Sequence, residues 1–244
     1  MSTKRQGMEE LARTVKGLAG ASTADLVGIA PGAAFGAEEL GELGQVFGPV
    51  DAVVVLAQRI TDPVQLARYR PSEGHFHERL SLSFADAMLR DAARRAADLI
   101  GAAGYRTAIP RSLRYGAFDP VHRIHFKKAA VLAGFGAFGR NQLVIHPEWG
   151  PWLMLATVVT DASLPADERS TFSPCDDCGR CLSACPSGAL SEAGIDREIC
   201  QPAYGGSPDS RVVRLSPQGQ INCDECLRAC PVGEAPPRLR MGDG

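Results

Sequence analysis

Residues 175–186 read CDDCGRCLSACP, a run of four cysteines whose last member precedes a proline. Residues 223–231 read CDECLRACP and repeat the end of this pattern, and Cys200 lies between the two runs. In a C-x2-C-x2-C loop three thiolates face one iron–sulfur cubane, and the cysteine that follows, next to proline, directs its sulfur to the other cluster. The spacing of the eight cysteines therefore predicts two [4Fe-4S] clusters.

This crossover divides the cysteines into two sets of four. The first cysteine set is Cys175, Cys178, Cys181 and Cys230. The second cysteine set is Cys185, Cys200, Cys223 and Cys226. Small residues after each proline, at 187–189 and 232–233, would let the backbone approach a cluster and donate N–H groups to sulfur.

Two other uses of eight cysteines fit the pattern less well. Zinc sites usually draw on separated C-x2-C pairs, not on a triple that ends in C-x3-C-P. Disulfides need an oxidising compartment, and the N-terminal residues show no apolar signal segment, twin-arginine pair or small-residue cleavage site. We therefore expect a cytoplasmic protein whose thiols are reduced and bind clusters.

Composition narrows the function classes. A hydrophobic content of 45% and a charged content of 22% are those of an ordinary globular chain. The net charge of −2 gives no support to an electrostatic nucleic-acid binder. Apolar runs such as residues 52–57 are far too short to span a bilayer, so no membrane is expected among the partners.

Residues 1–170 contain no cysteine and alternate strand-like with helix-like segments. This alternation predicts a mixed α/β layer architecture. The expected strands are 25–30, 51–56 and 152–159, and the expected helices are 81–100 and 123–133. Segment 163–170 is polar and is predicted to be a linker. The predicted domains are residues 1–170 and residues 171–244.

Three glycines, Gly134, Gly136 and Gly139, have the spacing G-x-G-x-x-G. They follow a predicted helix and precede a predicted strand. A dinucleotide-binding fingerprint requires the reverse order, strand and then helix, so the pattern does not indicate a Rossmann site. It indicates a tight loop whose lack of Cβ atoms lets the backbone approach a large ligand.

Three segments in a fixed order carry a family resemblance. Residues 133–141 read AGFGAFGRN, residues 146–151 read HPEWGP, and Thr160-Asp161 precede the cysteine runs. This order resembles the epoxyqueuosine reductase and reductive dehalogenase superfamily over most of the chain. The resemblance implies a nitroreductase-like α/β domain that binds cobalamin, followed by a bacterial-ferredoxin-like double [4Fe-4S] domain. It also implies electron flow through the clusters to a corrin cobalt.

The resemblance further implies particular site residues. The predicted corrin loop consists of Gly134, Phe135, Gly136, Ala137, Phe138, Gly139, Arg140 and Asn141. The epoxyqueuosine reductases carry an Asp-Tyr-His segment whose aspartate donates a proton, and His75-Phe76-His77 stand at that position here. His75 is therefore the predicted catalytic residue, as proton donor or hydrogen-bond partner of the substrate. The alternative is a solvated or core-satisfied histidine pair.

Two further departures from the family bear on the substrate. The tRNA-binding sequence that follows the clusters in epoxyqueuosine reductases is not seen after Pro231, and the export signal of respiratory dehalogenases is not seen either. We therefore expect tRNA to be an unlikely partner. The leading hypothesis is a cobalamin-dependent reductase that takes electrons from a ferredoxin-type or flavodoxin-type donor and reduces a small molecule or cobalamin itself. The alternatives are a cobalamin-free electron carrier and a tRNA epoxyqueuosine reductase-like enzyme.

Overall fold

The computed structural model describes residues 2–62, 68–69, 82–110, 125–200, 213–214, 219–221 and 223–237. The helices are α1 (Ser2–Lys16), α2 (Ala37–Phe47), α3 (Phe84–Ala102), α4 (Phe126–Leu132), α5 (Arg180–Ser183), α6 (Arg197–Cys200) and α7 (Glu225–Arg228). The strands are β1 (Leu26–Pro31), β2 (Ala52–Arg59), β3 (Arg68–Tyr69), β4 (Leu82–Ser83), β5 (Thr107–Ala108), β6 (Ala137–Phe138), β7 (Val144–Ile145), β8 (Leu153–Thr160), β9 (Leu190–Ser191), β10 (Gly194–Ile195), β11 (Val213–Arg214) and β12 (Gly219–Ile221).

The chain folds into two compact units, and each unit is formed by separate segments of the sequence. The first unit takes in residues 1–58, 86–136 and 154–171, and the second takes in residues 59–85, 137–153 and 172–244. The predicted domains 1–170 and 171–244 differ from these units, because segments 59–85 and 137–153 group with the cysteine-bearing segment. The cobalamin-binding and cluster-binding roles of the predicted domains stay predictions.

The first unit is built on a sheet of four strands in the order β1-β2-β8-β5. β1 runs antiparallel to β2, with Leu26 opposite Ala57 and Pro31 opposite Ala52. β2 reads AVVVLAQR, and its first six residues are buried. Such a continuous apolar run is typical of a strand that is covered on both faces.

Helices cover both faces of this sheet. α1 and α3 contribute Val15, Leu89 and Ala96 to a core that includes Ile29 of β1. Neighbouring residues of a strand point to opposite faces. On the face opposite Ile29, a Cβ added to Gly28 would lie 2.7 Å from the ring of Phe135, which follows α4. The mixed α/β layers predicted from the sequence are therefore confirmed.

The second unit consists of short elements. Its strands form a sheet in the order β11-β12-β3-β4 and two hairpins, β6-β7 and β9-β10. The short helices α5 and α7 contact each other, and each carries one cysteine, Cys181 or Cys226. Among the helices that the structure describes, none combines the length and the apolar character needed to cross a membrane.

Segment 163–170, predicted to be a polar linker, instead packs on the first unit. Leu164 is buried. The Asp167 N–H donates to the Ile29 carbonyl at 2.8 Å, and the Asp167 carboxylate accepts the Ile29 N–H at 2.8 Å and pairs with Lys16 of α1. Because β1 is the edge strand of its sheet, this segment covers backbone groups that would otherwise lie open. The linker prediction is wrong because polarity does not reveal a long-range backbone partner.

The contacts of Asp167 predict unequal effects for two substitutions. Asp167→Ala leaves the N–H of the fully buried Ile29 without its acceptor, so we expect a loss of about 1–3 kcal/mol in the free energy of unfolding. Lys16→Ala removes only a half-exposed ion pair, which is worth no more than about 1 kcal/mol. Urea denaturation followed by circular dichroism measures both values. Equal losses of unfolding free energy in the two variants would contradict the larger contribution assigned to the hydrogen bond between Asp167 and Ile29.

Candidate iron–sulfur centre

All eight cysteines lie among the described residues, and none of them forms a disulfide. Cys175 and Cys178 precede α5, Cys181 lies within it, and Cys185 follows it. Cys200 ends α6. Cys223 precedes α7, Cys226 lies within it, and Cys230 follows it. The short helices thus hold both runs in the same local pattern of loop, helical turn and proline.

The structure brings the first cysteine set together. Burial is the main cause that raises the pKa of the Cys181 thiol, and the negative charges of its neighbours add to the rise. Those neighbours are Cys175, Cys230 and Cys178. Burial also raises the pKa of Cys230, with added contributions from Cys175 and Cys178. The cysteine from the second run therefore joins the three cysteines of the first run.

The second cysteine set also converges. Burial raises the pKa of Cys226 to about 12, and neighbouring thiolates add to the rise. Those neighbours are Cys223, Cys200, Cys181 and Cys185. Three of them are the remaining members of the second set, and Cys181 belongs to the first. The two sets are therefore adjacent, as two clusters that exchange electrons would require.

The cysteines are not arranged around a single metal ion. Among the described residues, no group of three or more His, Cys, Asp or Glu side chains is arranged to hold one metal ion. That arrangement requires all ligands to converge on one atom, whereas each thiolate of a cubane binds a different iron atom. The cysteines of each set come together at the wider spacing that a cubane requires, and not around one atom.

Hydrogen-bond donors are already directed at several sulfur atoms. Burial by itself would raise the pKa of Cys185, but hydrogen bonds from the Ser187 hydroxyl and from the N–H groups of Leu190, Ser187 and Ala189 outweigh it and lower the pKa. The Val232 N–H acts in the same direction on the pKa of Cys230. Residues 187–189 and 232–233 thus supply the N–H donors that the sequence suggested, and such donors favour a thiolate.

The β6-β7 hairpin touches both cysteine sets. Its tip is closed by a hydrogen bond from the Gly139 N–H to the Leu143 carbonyl at 2.8 Å. The Arg140 N–H donates to Cys175 Sγ at 3.4 Å, and the Asn141 side-chain amide donates to the Cys226 carbonyl at 3.4 Å. The Arg140 guanidinium pairs with Glu192 at 3.0 Å. One end of the predicted corrin loop is therefore also a support for the cysteines.

Close packing within the protein accounts for two glycines of the predicted corrin loop. Gly134 has a φ of 80°, and a Cβ there would lie 2.4 Å from the Glu168 carbonyl oxygen. A Cβ on Gly139 would lie 2.8 Å from Asn141 Oδ1. These positions need glycine whether or not a ligand binds. Gly136 is buried and has a φ of 144°, which favours glycine. A role of the loop toward a corrin stays a prediction.

The HPEWGP turn, residues 146–151, interlocks with the turn that follows Cys230. A Cβ on Gly150 would lie 1.8 Å from the Val232 carbonyl oxygen, and a Cβ on Gly233 would lie 2.3 Å from the Trp149 carbonyl carbon. Only two glycines permit backbones to approach this closely. His146 stacks on Trp149 with ring centroids 4.4 Å apart, and its burial lowers the pKa of its imidazole. The sequence patterns single out both segments, 146–151 and 232–233, but do not predict their contact.

Two charged residues among the cysteines were not singled out from the sequence. Asp224 follows Cys223, Arg228 lies between Cys226 and Cys230, and their side chains pair at 2.7 Å. The signal that could have identified them is their spacing of four residues on a short helix between predicted ligands.

The histidines have separate outcomes. His75 and His77 lie outside the described residues, so the role of His75 stays a prediction. His125 accepts the Lys128 N–H at 3.1 Å as the N-cap of α4, which is a structural role.

The interlocked turns predict a selective loss of one cluster. In Gly150→Ala the added Cβ displaces Val232 and with it Cys230, so we expect iron to fall from about eight to about four atoms per chain. The matched control is Gly20→Ala in the first unit, because Gly20 has a similar φ of 70° but no atom within 4 Å of its added Cβ. Iron analysis and EPR of reconstituted protein measure the difference. A full complement of iron in Gly150→Ala would refute the role of the turn.

Comparison with known proteins starts from the cysteine region. The family model of the 4Fe-4S dicluster domain matches residues 174–234. The epoxyqueuosine reductase of Synechococcus sp. (strain RCC307) is 39% identical over 101 residues, which cover 41% of this chain and 31% of that protein. The epoxyqueuosine reductase of Gloeobacter violaceus (strain ATCC 29082 / PCC 7421) is 32% identical over 127 residues, which cover 50% of this chain and 39% of that protein. The matches thus span about a third of these relatives' length.

Solved structures extend the likeness to most of the chain. A crystal structure of epoxyqueuosine reductase with an epoxyqueuosine-modified tRNA-Tyr stem loop has a TM-score of 0.63 at 20% identity, covering 93% of this chain and 65% of that one. A catabolic reductive dehalogenase has a TM-score of 0.61 at 19% identity, and the match covers 93% of this chain and 36% of that one. At these identities the likeness concerns the fold. The resemblance and the predicted fold class are confirmed: this chain contains a 4Fe-4S dicluster domain and has the fold of the epoxyqueuosine reductases and reductive dehalogenases.

Proposed function

We propose that this protein is an iron–sulfur reductase of the epoxyqueuosine reductase and reductive dehalogenase type. The observation that carries the proposal is the convergence of eight cysteines, none of them in a disulfide, in two adjacent sets, each with thiols from both runs. Thiolates are the metal ligands, and thiols whose pKa is raised by burial release their protons when metal binds.

The donors fit a [4Fe-4S] cluster in each set. When bound, the clusters would supply one-electron transfer at potentials tuned by burial and hydrogen bonding. The Arg140 N–H at Cys175 and the donors around Cys185 are placed to stabilise the negative charge that reduction adds. A ferredoxin-type or flavodoxin-type protein is the proposed electron donor.

Cobalamin is the second cofactor in this proposal. Its support is the resemblance of residues 133–161 and the fold shared with a reductive dehalogenase whose structure was described as suggesting a mechanism for B12-dependent dehalogenation, at a TM-score of 0.57 and 20% identity. Since Gly134 and Gly139 have internal packing reasons, Gly136 is the loop position at which cobalamin binding is best tested.

Epoxyqueuosine in tRNA is the substrate that the relatives favour. The curated relatives described above are epoxyqueuosine reductases, and one structural neighbour holds a modified tRNA stem loop. The expectation that tRNA is an unlikely partner is therefore corrected. That expectation rested on net charge, on the missing acid at residue 75 and on the sequence after Pro231, and none of these describes a binding surface.

The chemistry suits a protein with two one-electron centres. Loss of an epoxide oxygen as water consumes two electrons and two protons, and two clusters can each hold one electron in reserve. The reaction also needs a proton donor near the substrate, and His75 remains the candidate because an imidazolium can donate a proton near neutral pH.

Anaerobic reconstitution tests the function. We expect about eight iron atoms per chain and reduction of an epoxyqueuosine-modified tRNA stem loop that depends on added cobalamin. Cys226→Ser should abolish turnover, and an unmodified stem loop is the control substrate. Retention of zinc without iron would refute the proposal. Full iron with no affinity for cobalamin would instead support the electron carrier, and reduction of free cobalamin alone would identify cobalamin as the substrate.

A substitution at His75 tests the proton donor separately. His75→Asn keeps a hydrogen-bonding group but removes the titratable proton, so turnover should fall by roughly 10²–10⁴ if His75 is a general acid. His77→Asn is the matched control and should stay near the rate of the unaltered protein. Equal rates for both variants would show that His75 takes no part in proton transfer.

A further inference from the structure

A partly buried ion pair spans α7, between predicted ligands of both cysteine sets. Arg228 is two residues from Cys226 of the second set and two residues from Cys230 of the first set, and Asp224 follows Cys223. Their side chains are joined at 2.7 Å between Arg228 Nη2 and Asp224 Oδ2. In the sequence, the two charged residues therefore neighbour predicted ligands of both clusters.

The pair is enclosed on several sides. Arg228 is 12% exposed and Asp224 is 15% exposed, whereas Lys128 and Glu39 of another close ion pair are 34% and 35% exposed. The Arg228 guanidinium donates to the Pro236 carbonyl at 2.6 Å and lies 5.3 Å from the centroid of the buried Trp152 ring. These contacts fix the position of the positive charge.

Stability does not account for this arrangement. Removing two charges from water costs free energy that their attraction often only repays, and apolar residues of similar volume are frequently as stabilising. In addition, Arg228 Nε is buried and has no hydrogen-bond partner among the described residues, which is itself unfavourable. A pair kept in spite of these costs points to an electrostatic role.

That role follows from what reduction does to the site. Each electron adds one negative charge to a cluster, and a fixed charge nearby acts on it through a weakly polarisable surrounding. A cation stabilises the reduced state and raises the reduction potential, whereas an anion does the opposite. Arg228 and Asp224 therefore act in opposite directions.

We propose that the Asp224–Arg228 pair tunes the reduction potentials of the two clusters, with Arg228 making reduction easier and Asp224 restraining that effect. The inference rests on the proposed function, because it requires that both clusters bind. It assigns to two non-ligand residues the task of matching the clusters to their electron donor and acceptor.

A redox titration followed by EPR on the reconstituted full chain tests the proposal. Arg228→Gln should lower the equilibrium constant for reduction of at least one cluster about tenfold, which is a 59 mV fall for a one-electron couple. Asp224→Asn should change the same constant by a similar factor in the opposite direction. Arg228→Lys, which keeps the charge but loses the planar guanidinium, should stay near the potential of the unaltered protein even if its melting temperature falls.

Controls separate tuning from folding. Glu39→Gln removes a charge from an ion pair in the first unit and should leave both potentials unchanged. Unchanged potentials in Arg228→Gln and Asp224→Asn, or shifts of the same sign, would overturn the tuning role while leaving the proposed function intact. Loss of iron in the nearly isosteric Asp224→Asn would also overturn it, because the pair would then act in assembly. Absence of clusters in the unaltered protein would refute the proposed function itself.

Discussion

Each cysteine set takes thiols from both runs, and this crossing constrains the whole segment from residue 175 to residue 230. Cys230 must return to the three cysteines of the first run, and Cys185 must reach Cys223 and Cys226. The contact between α5 and α7 follows from this requirement, since the cysteine that follows each helix, Cys185 or Cys230, belongs to the set of the other run. Metal binding and folding of this segment are therefore expected to be coupled.

Other parts of the second unit serve the same constraint from outside the cysteine runs. The β6-β7 hairpin contributes a donor to Cys175 and a second one to the Cys226 carbonyl. The turn at Gly150 fixes the backbone just after Cys230. Both segments precede the cysteines by 25 residues or more in the chain, which explains why the compact unit around the cysteines is discontinuous.

The sequence predicted those features that short-range patterns carry. The Val-rich run of β2 and the apolar stripe of α3 are local signals, and both elements formed close to their expected bounds. The grouping of the cysteines into two ligand sets is likewise predicted from spacing alone. By contrast, the Asp167 contact with Ile29, the meeting of Gly150 with Val232 and the environment of Arg228 all join distant segments. Composition and periodicity contain no information about such partners, and the linker prediction failed for this reason.

The contact between Arg140 and Cys175 has a consequence for how such proteins diverge. The group that donates to the sulfur is the backbone N–H, while the guanidinium is engaged elsewhere, with Glu192. Almost any residue at position 140 supplies the same N–H, and only proline lacks it. Natural variation can therefore change the charge at this position freely while the sulfur keeps its donor. The path of the main chain, and not the identity of the side chain at position 140, therefore sets this part of the electronic environment of the Cys175 sulfur.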